Sequence, residues 1–286
     1  MPKTIEQHSL WRTARAVLSA NWTGRHTVPS RTLYPHQWSW DSGFIAIGLA
    51  HVAPERGWRE LRNLFAAQWP DGRVPHIVFD PGVAERHYFP GPSFWGRPDS
   101  SGIVQPPVHA MAAWELYRRD PGPAGRAHLA WLYPRLVAQQ DYLARRRDVA
   151  GTGLAAIVHP WESGLDNSPA WEEALAAVPV PADVMAGYRR RDNRVAAAAH
   201  RPTDADYARF VAVASAYRDG GYSDEGLPAR HPFLVECPGF NALRGLAERA
   251  LAEIAPVVGA DPASHRDRAA AITQAVLAHL HDRGSG

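Results

Sequence analysis

The stretch from His159 to Trp171 sets two carboxylates, Glu162 and Asp166, between two tryptophans, Trp161 and Trp171. Gly164 and Pro169 interrupt any regular helix through it, so it reads as a loop. A carboxyl beside indole rings is partly desolvated. Desolvation disfavours the charged form, raises the pKa and suits the group to donate a proton near neutral pH. An indole face is also a platform for the apolar face of a sugar ring. From these residues alone the proton donor is one of the two acids, and a Trp-rich structural loop with a solvated acid is the alternative.

A second dense stretch runs Tyr34-Pro-His-Gln-Trp-Ser-Trp-Asp-Ser-Gly-Phe44. A carboxylate such as Asp41 accepts two hydroxyl hydrogen bonds from a pyranose while the adjacent Trp40 stacks on the ring. As a structural residue Asp41 would be a helix N-cap, and Trp38 would be packing. In Ser101-Gly-Ile-Val-Gln-Pro-Pro-Val-His-Ala110, Gln105 both donates and accepts, as recognition of a neutral polyol requires. The proline pair is expected to open a helix and to fix where Gln105 points. In His200-Arg-Pro-Thr-Asp-Ala-Asp-Tyr207, Arg201 offers a planar fork suited to a carboxylate. Tyr207 lies about one helical turn after Thr203 and could add a hydroxyl. A surface Arg before a helix is the commoner fate of an isolated arginine. His76 and Tyr88, taken alone, are more often structural than functional.

Trp161-Glu-Ser-Gly-Leu-Asp166-Asn-Ser resembles the catalytic-acid motif of the (α/α)6-barrel glycosidases. That group includes trehalases, the processing α-glucosidases of glycoside hydrolase family 63, and the glucosylglycerate and mannosylglycerate hydrolases. Trp40-Asp41 resembles the sugar-binding motif of that family, and Ser101 to Pro107 its Ser-Gly-x-x-Gln-Pro-Pro motif. The His200 to Tyr207 segment is similar to one in the glycerate-glycoside hydrolases. The resemblance implies an inverting α-glycosidase for a small acidic α-glucoside, with Asp166 as general acid. It places Tyr34, Trp40, Asp41, His76, Tyr88, Gln105 and Trp161 at the sugar, and Arg201 and Tyr207 at a carboxylate of the leaving group. It implies a small carbohydrate as partner, with neither cofactor nor metal.

The family's general base is a Glu near the C-terminus, and no segment here matches it. Glu236 is the best substitute among the later glutamates, while Glu248 and Glu253 read as solvated. The expectation is a single toroid domain over 1–286 that lacks its C-terminal helices and is not a competent hydrolase alone. A non-catalytic sugar-binding remnant of such an enzyme is the second expectation, and a trehalase-like or oligosaccharide α-glucosidase the third.

The composition sets outer bounds. Of 286 residues, 45% are hydrophobic and 21% charged, with a net charge of +2, so neither nucleic acid nor a membrane surface is expected as partner. The single cysteine, Cys237, allows no internal disulfide, and a cytoplasmic protein is expected. There is no HExxH, CxxC, GxSxG or P-loop, and the 14 histidines show no ligand spacing. The 11 tryptophans sit largely in Pro- and Gly-containing segments, where core packing rarely needs them.

The positioning elements read as helices. Helical spacing predicts segments over 4–20, with Leu10, Ala14, Val17 and Leu18 on one face, then over 41–51 and 54–69. A hairpin strand is expected over 74–79 and a helix from Gln105 to Arg119. The next helix carries Leu129, Leu132, Leu136 and Leu143 on one stripe. Two short pieces over 171–191 follow, then a helix capped by Thr203. A stripe from Leu243 to Ile254 and a last helix over 263–282 complete the pattern. Arg145-Arg146-Arg147 reads as a solvated helix end. The chain is all-α, and alternating long and short connections fit a toroid of helix hairpins whose long loops gather at one end to form the site; the resemblance implies that this toroid is of the (α/α)6 type.

Overall fold

The computed structural model describes residues 5–186, 188, 202–282 and 284. Its eight longer helices are α1 (Ile5–Ala20), α2 (Ser39–Leu49), α3 (Pro54–Ala66), α4 (His109–Arg119), α5 (Pro123–Arg146), α6 (Asp204–Asp219), α7 (Pro238–Val257) and α8 (Ala263–His279). Proline fills the first turn of α3, α5 and α7, where its missing N–H costs nothing. Thr203 closes a capping box with Asp206 at the head of α6.

Helices α2, α4 and α7 stand beside one another in sequence order, and each is backed by the helix that follows it, α3, α5 and α8. This double layer of helix hairpins is the plan of an (α/α)6 toroid. Its core lies where the layers meet. Leu61, Leu64 and Phe65 of α3, Leu116 of α4, Leu129, Leu132 and Leu136 of α5, and Leu251 and Ile254 of α7 are all buried there. The leucine stripe of α5 is fully internal, as its spacing requires.

Several expectations are corrected. Of the apolar face of α1, Leu10 and Val17 are exposed, and Leu18 lies near Gly48. The strand expected as a hairpin over 74–79 is instead β2 (Ile77–Val78), and it pairs antiparallel with β1 (Gln37–Trp38). Helix α4 begins at His109, because each of two successive prolines disfavours helical backbone at the residue before it, Gln105 and Pro106, and the Val108 amide turns back to the Pro106 carbonyl at 2.9 Å. Of the two short pieces expected over 171–191, one forms at Glu172–Ala176, and 187 and 189–191 lie outside the described residues. On α7 the inward face includes Arg244 and Glu248 while Leu246 is exposed. Glu248 is buried because α8 presents a partner: His265 Nδ1 lies 2.6 Å from its carboxylate, and Arg268 Nη1 lies 3.5 Å away.

The 22–38 loop is held down by one buried acid of α3. Glu60 accepts from the Thr27 amide at 2.7 Å, the Gln37 side-chain amide at 2.9 Å and the Ser42 hydroxyl at 2.7 Å. Burial pushes its carboxyl up to about 7, against which those three hydrogen bonds act.

Candidate active site

Four connecting stretches converge on one cavity of about 960 Å³. Its wall includes Tyr34, Trp38, Trp40, Asp41, Tyr88, Gln105, Trp161, Gly164, Asp166 and Tyr207, and the 85–91 segment forms part of its rim.

The acid loop is ordered by its own hydrogen bonds. His159 accepts from the Trp161 amide through Nδ1 and donates from Nε2 to the Phe210 carbonyl at 2.8 Å, which fixes one neutral tautomer. Burial pushes this imidazole down to about 3. Pro160–Ser163 forms a short 3-10 turn, and the Ser163 hydroxyl accepts from the Leu165 amide at 2.9 Å. The indole of Trp171 donates to the Leu165 carbonyl at 2.7 Å from beneath. The loop therefore reaches Asp166 with little freedom.

Gly164 is required twice over. Its φ is +72°, and a Cβ there would run into the ring of Trp40. The acid loop thus rests directly on the first turn of α2. Trp40 in turn donates its amide to Gln105 Oε1 at 3.1 Å. That bond uses the acceptor end of the Gln105 amide and leaves its N–H₂ end for other partners. Asp41, next along α2, is not an N-cap: the cap position belongs to Trp38, which makes no side-chain cap bond. Burial in the cavity wall pushes the Asp41 carboxyl up to about 6.

The aromatic wall is built edge to face. Tyr34 and Trp38 meet at 5.2 Å and 80°, and Tyr88 meets Trp38 at 6.1 Å and 87°. His76 stands one layer behind this wall. It is buried, meets Trp38 at 5.3 Å and Trp161 at 6.3 Å, and hydrogen-bonds Ser101 through Nδ1. It is not among the residues on the cavity surface, and burial holds it well below its usual pKa. Tyr207 faces the cavity and stacks on Tyr188 at 5.8 Å. Arg201 lies outside the described residues.

Glu162 is not on the wall. All four of its acceptor positions are filled by the body of the protein: Arg147 Nη2 at 2.9 Å and the Val104 amide at 3.0 Å on Oε1, Arg147 Nη1 at 2.7 Å and the Val158 amide at 2.8 Å on Oε2. Of the two acids in the loop, Asp166 alone borders the cavity. It also borders a second cleft of about 500 Å³, lined in part by Asn167, Ser168, Glu172 and Arg209. The buried Arg147 corrects the expectation of a solvated helix end. It also lies 3.0 Å from Asp224, which lies 3.3 Å from Arg73.

Sequence reasoning left out the rim residues Glu85, Arg86 and His87, and it weighed Trp38 equally as packing and as a site residue. The signal for Trp38 was its alternation with Trp40 across a strand start. Among the described residues no three His, Cys, Asp or Glu side chains are grouped to hold a metal ion, and no helix is long and apolar enough to cross a membrane.

An aromatic cavity with a carboxylate on its wall, set on a double layer of helix hairpins, is the design of a toroidal carbohydrate-processing protein. Comparison with known proteins narrows this. The model of the mannosylglycerate hydrolase MGH1-like glycoside hydrolase domain matches residues 34–286, and the chain belongs to that family. The mannosylglycerate hydrolase of Rubrobacter radiotolerans is 42% identical over 283 residues, 96% of this chain and 64% of that protein. The glucosylglycerate hydrolase of Mycolicibacterium hassiacum is 39% identical over 84% of this chain and 57% of its own length. A crystal structure of the family 63 mannosylglycerate hydrolase of Thermus thermophilus with Tris and D-glycerate superposes with a TM-score of 0.90 at 42% identity, covering 96% of this chain and 66% of that one. The chain therefore spans less than two thirds of the length of these relatives.

Proposed function

We propose that the chain carries the sugar site and proton donor of an inverting α-glycosidase for a small acidic glycoside of the glucosylglycerate or mannosylglycerate type. The reading rests on one observation above all. Trp40-Asp41, Gln105 and Asp166 come from three separate motifs and border a single cavity. The sugar ring lies against Trp40 and Trp161, with Tyr34 and Tyr88 beside it. Asp41 accepts from its hydroxyls and Gln105 donates to them. Asp166 gives its proton to the glycosidic oxygen as the bond to the anomeric carbon breaks. Arg201 and Tyr207 hold the carboxylate of the leaving group. His76 acts from behind the wall by fixing Trp38 and Trp161. The work is placed in the cytoplasm, on a small carbohydrate and without a cofactor.

An inverting site needs a second carboxyl, across the sugar, to activate water. The reading assigns that role to no described residue of this chain. Besides Asp166, the carboxyls on the described wall are Asp41 and Glu85, and both oxygens of Glu85 are occupied by Ser93 at 2.6–2.7 Å. Glu236, the substitute named from sequence, is off the wall and accepts from Thr152 Oγ1 at 2.6 Å. This observation favours a second reading, sugar binding without turnover.

The purified chain is to be assayed against glucosylglycerate, mannosylglycerate and trehalose, with glucose binding followed by tryptophan emission. Turnover of the acidic glycosides that Asp166→Asn abolishes, with glucose binding retained, supports the hydrolase. Glucose binding without turnover supports the second reading. An Asp166→Asn variant that keeps most of its kcat removes Asp166 as donor.

A further inference from the structure

The Arg147–Glu162 pair sits at the junction of the two segments that carry the site. Arg147 follows the end of α5 and Glu162 lies four residues before Asp166. Both side chains are fully buried. Glu162 Oε1 accepts from the amide of Val104, the residue before Gln105, and Oε2 accepts from the amide of Val158, at the entry to the acid loop. One carboxylate thus binds the segment that aims Gln105 and the segment that aims Asp166. Arg147 holds that carboxylate in place through both ends of its fork. Its own position is fixed by Asp224, 3.0 Å from Nε, and Asp224 also accepts from Tyr217 at 2.6 Å.

We infer that Arg147 and Glu162 are positioning residues that set the register of Asp166 against Gln105, an inference that rests on Asp166 being the proton donor. A neutral hydrogen-bonded pair would fill the same volume. The charged pair does something a neutral one would not. A carboxylate has acceptors only, so it receives the two amides and both arms of the fork without one mismatched contact. Glutamine in its place puts an N–H₂ against either the Val104 or the Val158 amide. One of the two segments must then shift, and the donor loses its alignment with the sugar.

The misalignment has a signature separate from lost stability. Hydrolysis of glucosylglycerate needs a proton on the leaving oxygen, whereas α-glucosyl fluoride releases fluoride with little or no such help. General-acid assistance is worth about 10²- to 10⁴-fold. A misplaced donor therefore lowers turnover of the glycoside and spares the fluoride, while a fold that is merely weakened lowers both alike.

The test uses the whole chain with Glu162→Gln and, should that variant not fold, Arg147→Lys, which keeps the charge and loses the fork. Glu248→Gln removes an equally buried acid away from the cavity wall and serves as the comparison. Expected for Glu162→Gln is a fall of at least about tenfold in the ratio of kcat on glucosylglycerate to kcat on the fluoride. Amide hydrogen exchange should quicken in 101–105 and in 158–168 together, with α3 unchanged. Glu248→Gln should leave the ratio alone. An unchanged ratio in an active Glu162→Gln, or exchange that quickens in only one of the two segments, overturns the inference. If the wild-type chain turns over neither compound, the hydrolase reading fails on its own. The paired exchange response then decides whether Glu162 couples the two segments.

Discussion

Gly164→Ala isolates the contact between the acid loop and α2. The new methyl group meets two separate costs. A residue with φ of +72° is strained for any L side chain, by about 1–2 kcal/mol. The methyl also enters the ring of Trp40, and overpacking of this kind costs about 1–3 kcal/mol. The sum is about 2–5 kcal/mol. Gly151→Ala separates the two costs, because Gly151 has φ of +69° and open space where its Cβ would go. It should lose only the backbone part, about 1–2 kcal/mol. The functional difference should be larger than the difference in stability. Relief of the clash moves Trp40 or the loop by a fraction of an ångström or more, and a displacement of about 1 Å can cost on the order of 10²-fold in rate. Urea unfolding measures the stability of both variants, and glucose titration by tryptophan emission measures the sugar subsite. Equal stability losses in the two variants, with glucose affinity unchanged in Gly164→Ala, would refute the reasoning that the loop is seated on Trp40.

Asp41, pushed up to about 6 by burial, is protonated in the free protein below that pH, and a protonated acid loses acceptor capacity. Glucose affinity should fall about tenfold between pH 7 and pH 5 and should be flat in Asp41→Asn; a flat wild-type profile counts against Asp41 as sugar acceptor. Glu60 keeps its proton up to about pH 7 in the folded chain and releases it near 4.5 when unfolded. The folded state therefore holds the extra proton across that window, and stability falls as pH rises through it, by an amount on the order of 3 kcal/mol. Urea midpoints of Glu60→Gln should lack that fall, and a wild-type curve that rises over the window contradicts the assignment. Arg201→Ala should weaken glucosylglycerate by about 1.5–3 kcal/mol and leave trehalose nearly unchanged; equal losses on both would remove the carboxylate role.

The acid loop, the Trp40-Asp41 pair and Gln105 were legible because each is a short motif whose chemistry is local. Helix positions were legible for the same reason, since the α5 stripe of Leu129, Leu132, Leu136 and Leu143 needs only its own periodicity. What was hidden depends on distant partners. Arg147 looks like any basic helix end until Glu162 and Asp224 are brought to it. Glu248 lies off the leucine stripe of α7 and looks solvated until His265 and Arg268 arrive from α8. Conversely, the α1 stripe has proper helical spacing, yet Leu10 and Val17 are exposed. Periodicity reports that a helix has an apolar side and is silent about what that side meets. His76 shows the same limit within the site: sequence put it near the sugar, and the fold sets it one layer back, where it fixes two indoles in place.

The line of charges from Arg73 through Asp224 to Arg147 and Glu162 also bears on how the chain acquires its structure. These residues come from four separate parts of the chain, and each is buried in the finished fold. A buried ion without its partner is heavily penalised, so partial assemblies that enclose some of these charges and not the rest are unfavourable. Contacts this far apart in sequence also close slowly, because loop entropy is lost before they form. The acid loop is therefore expected to be absent from early folding species and to appear together with the packing of 147, 162 and 224. Once formed, it belongs to the slowly exchanging part of the molecule rather than to a fraying surface segment. Asp166 is then carried on a segment whose docking is the last step of folding.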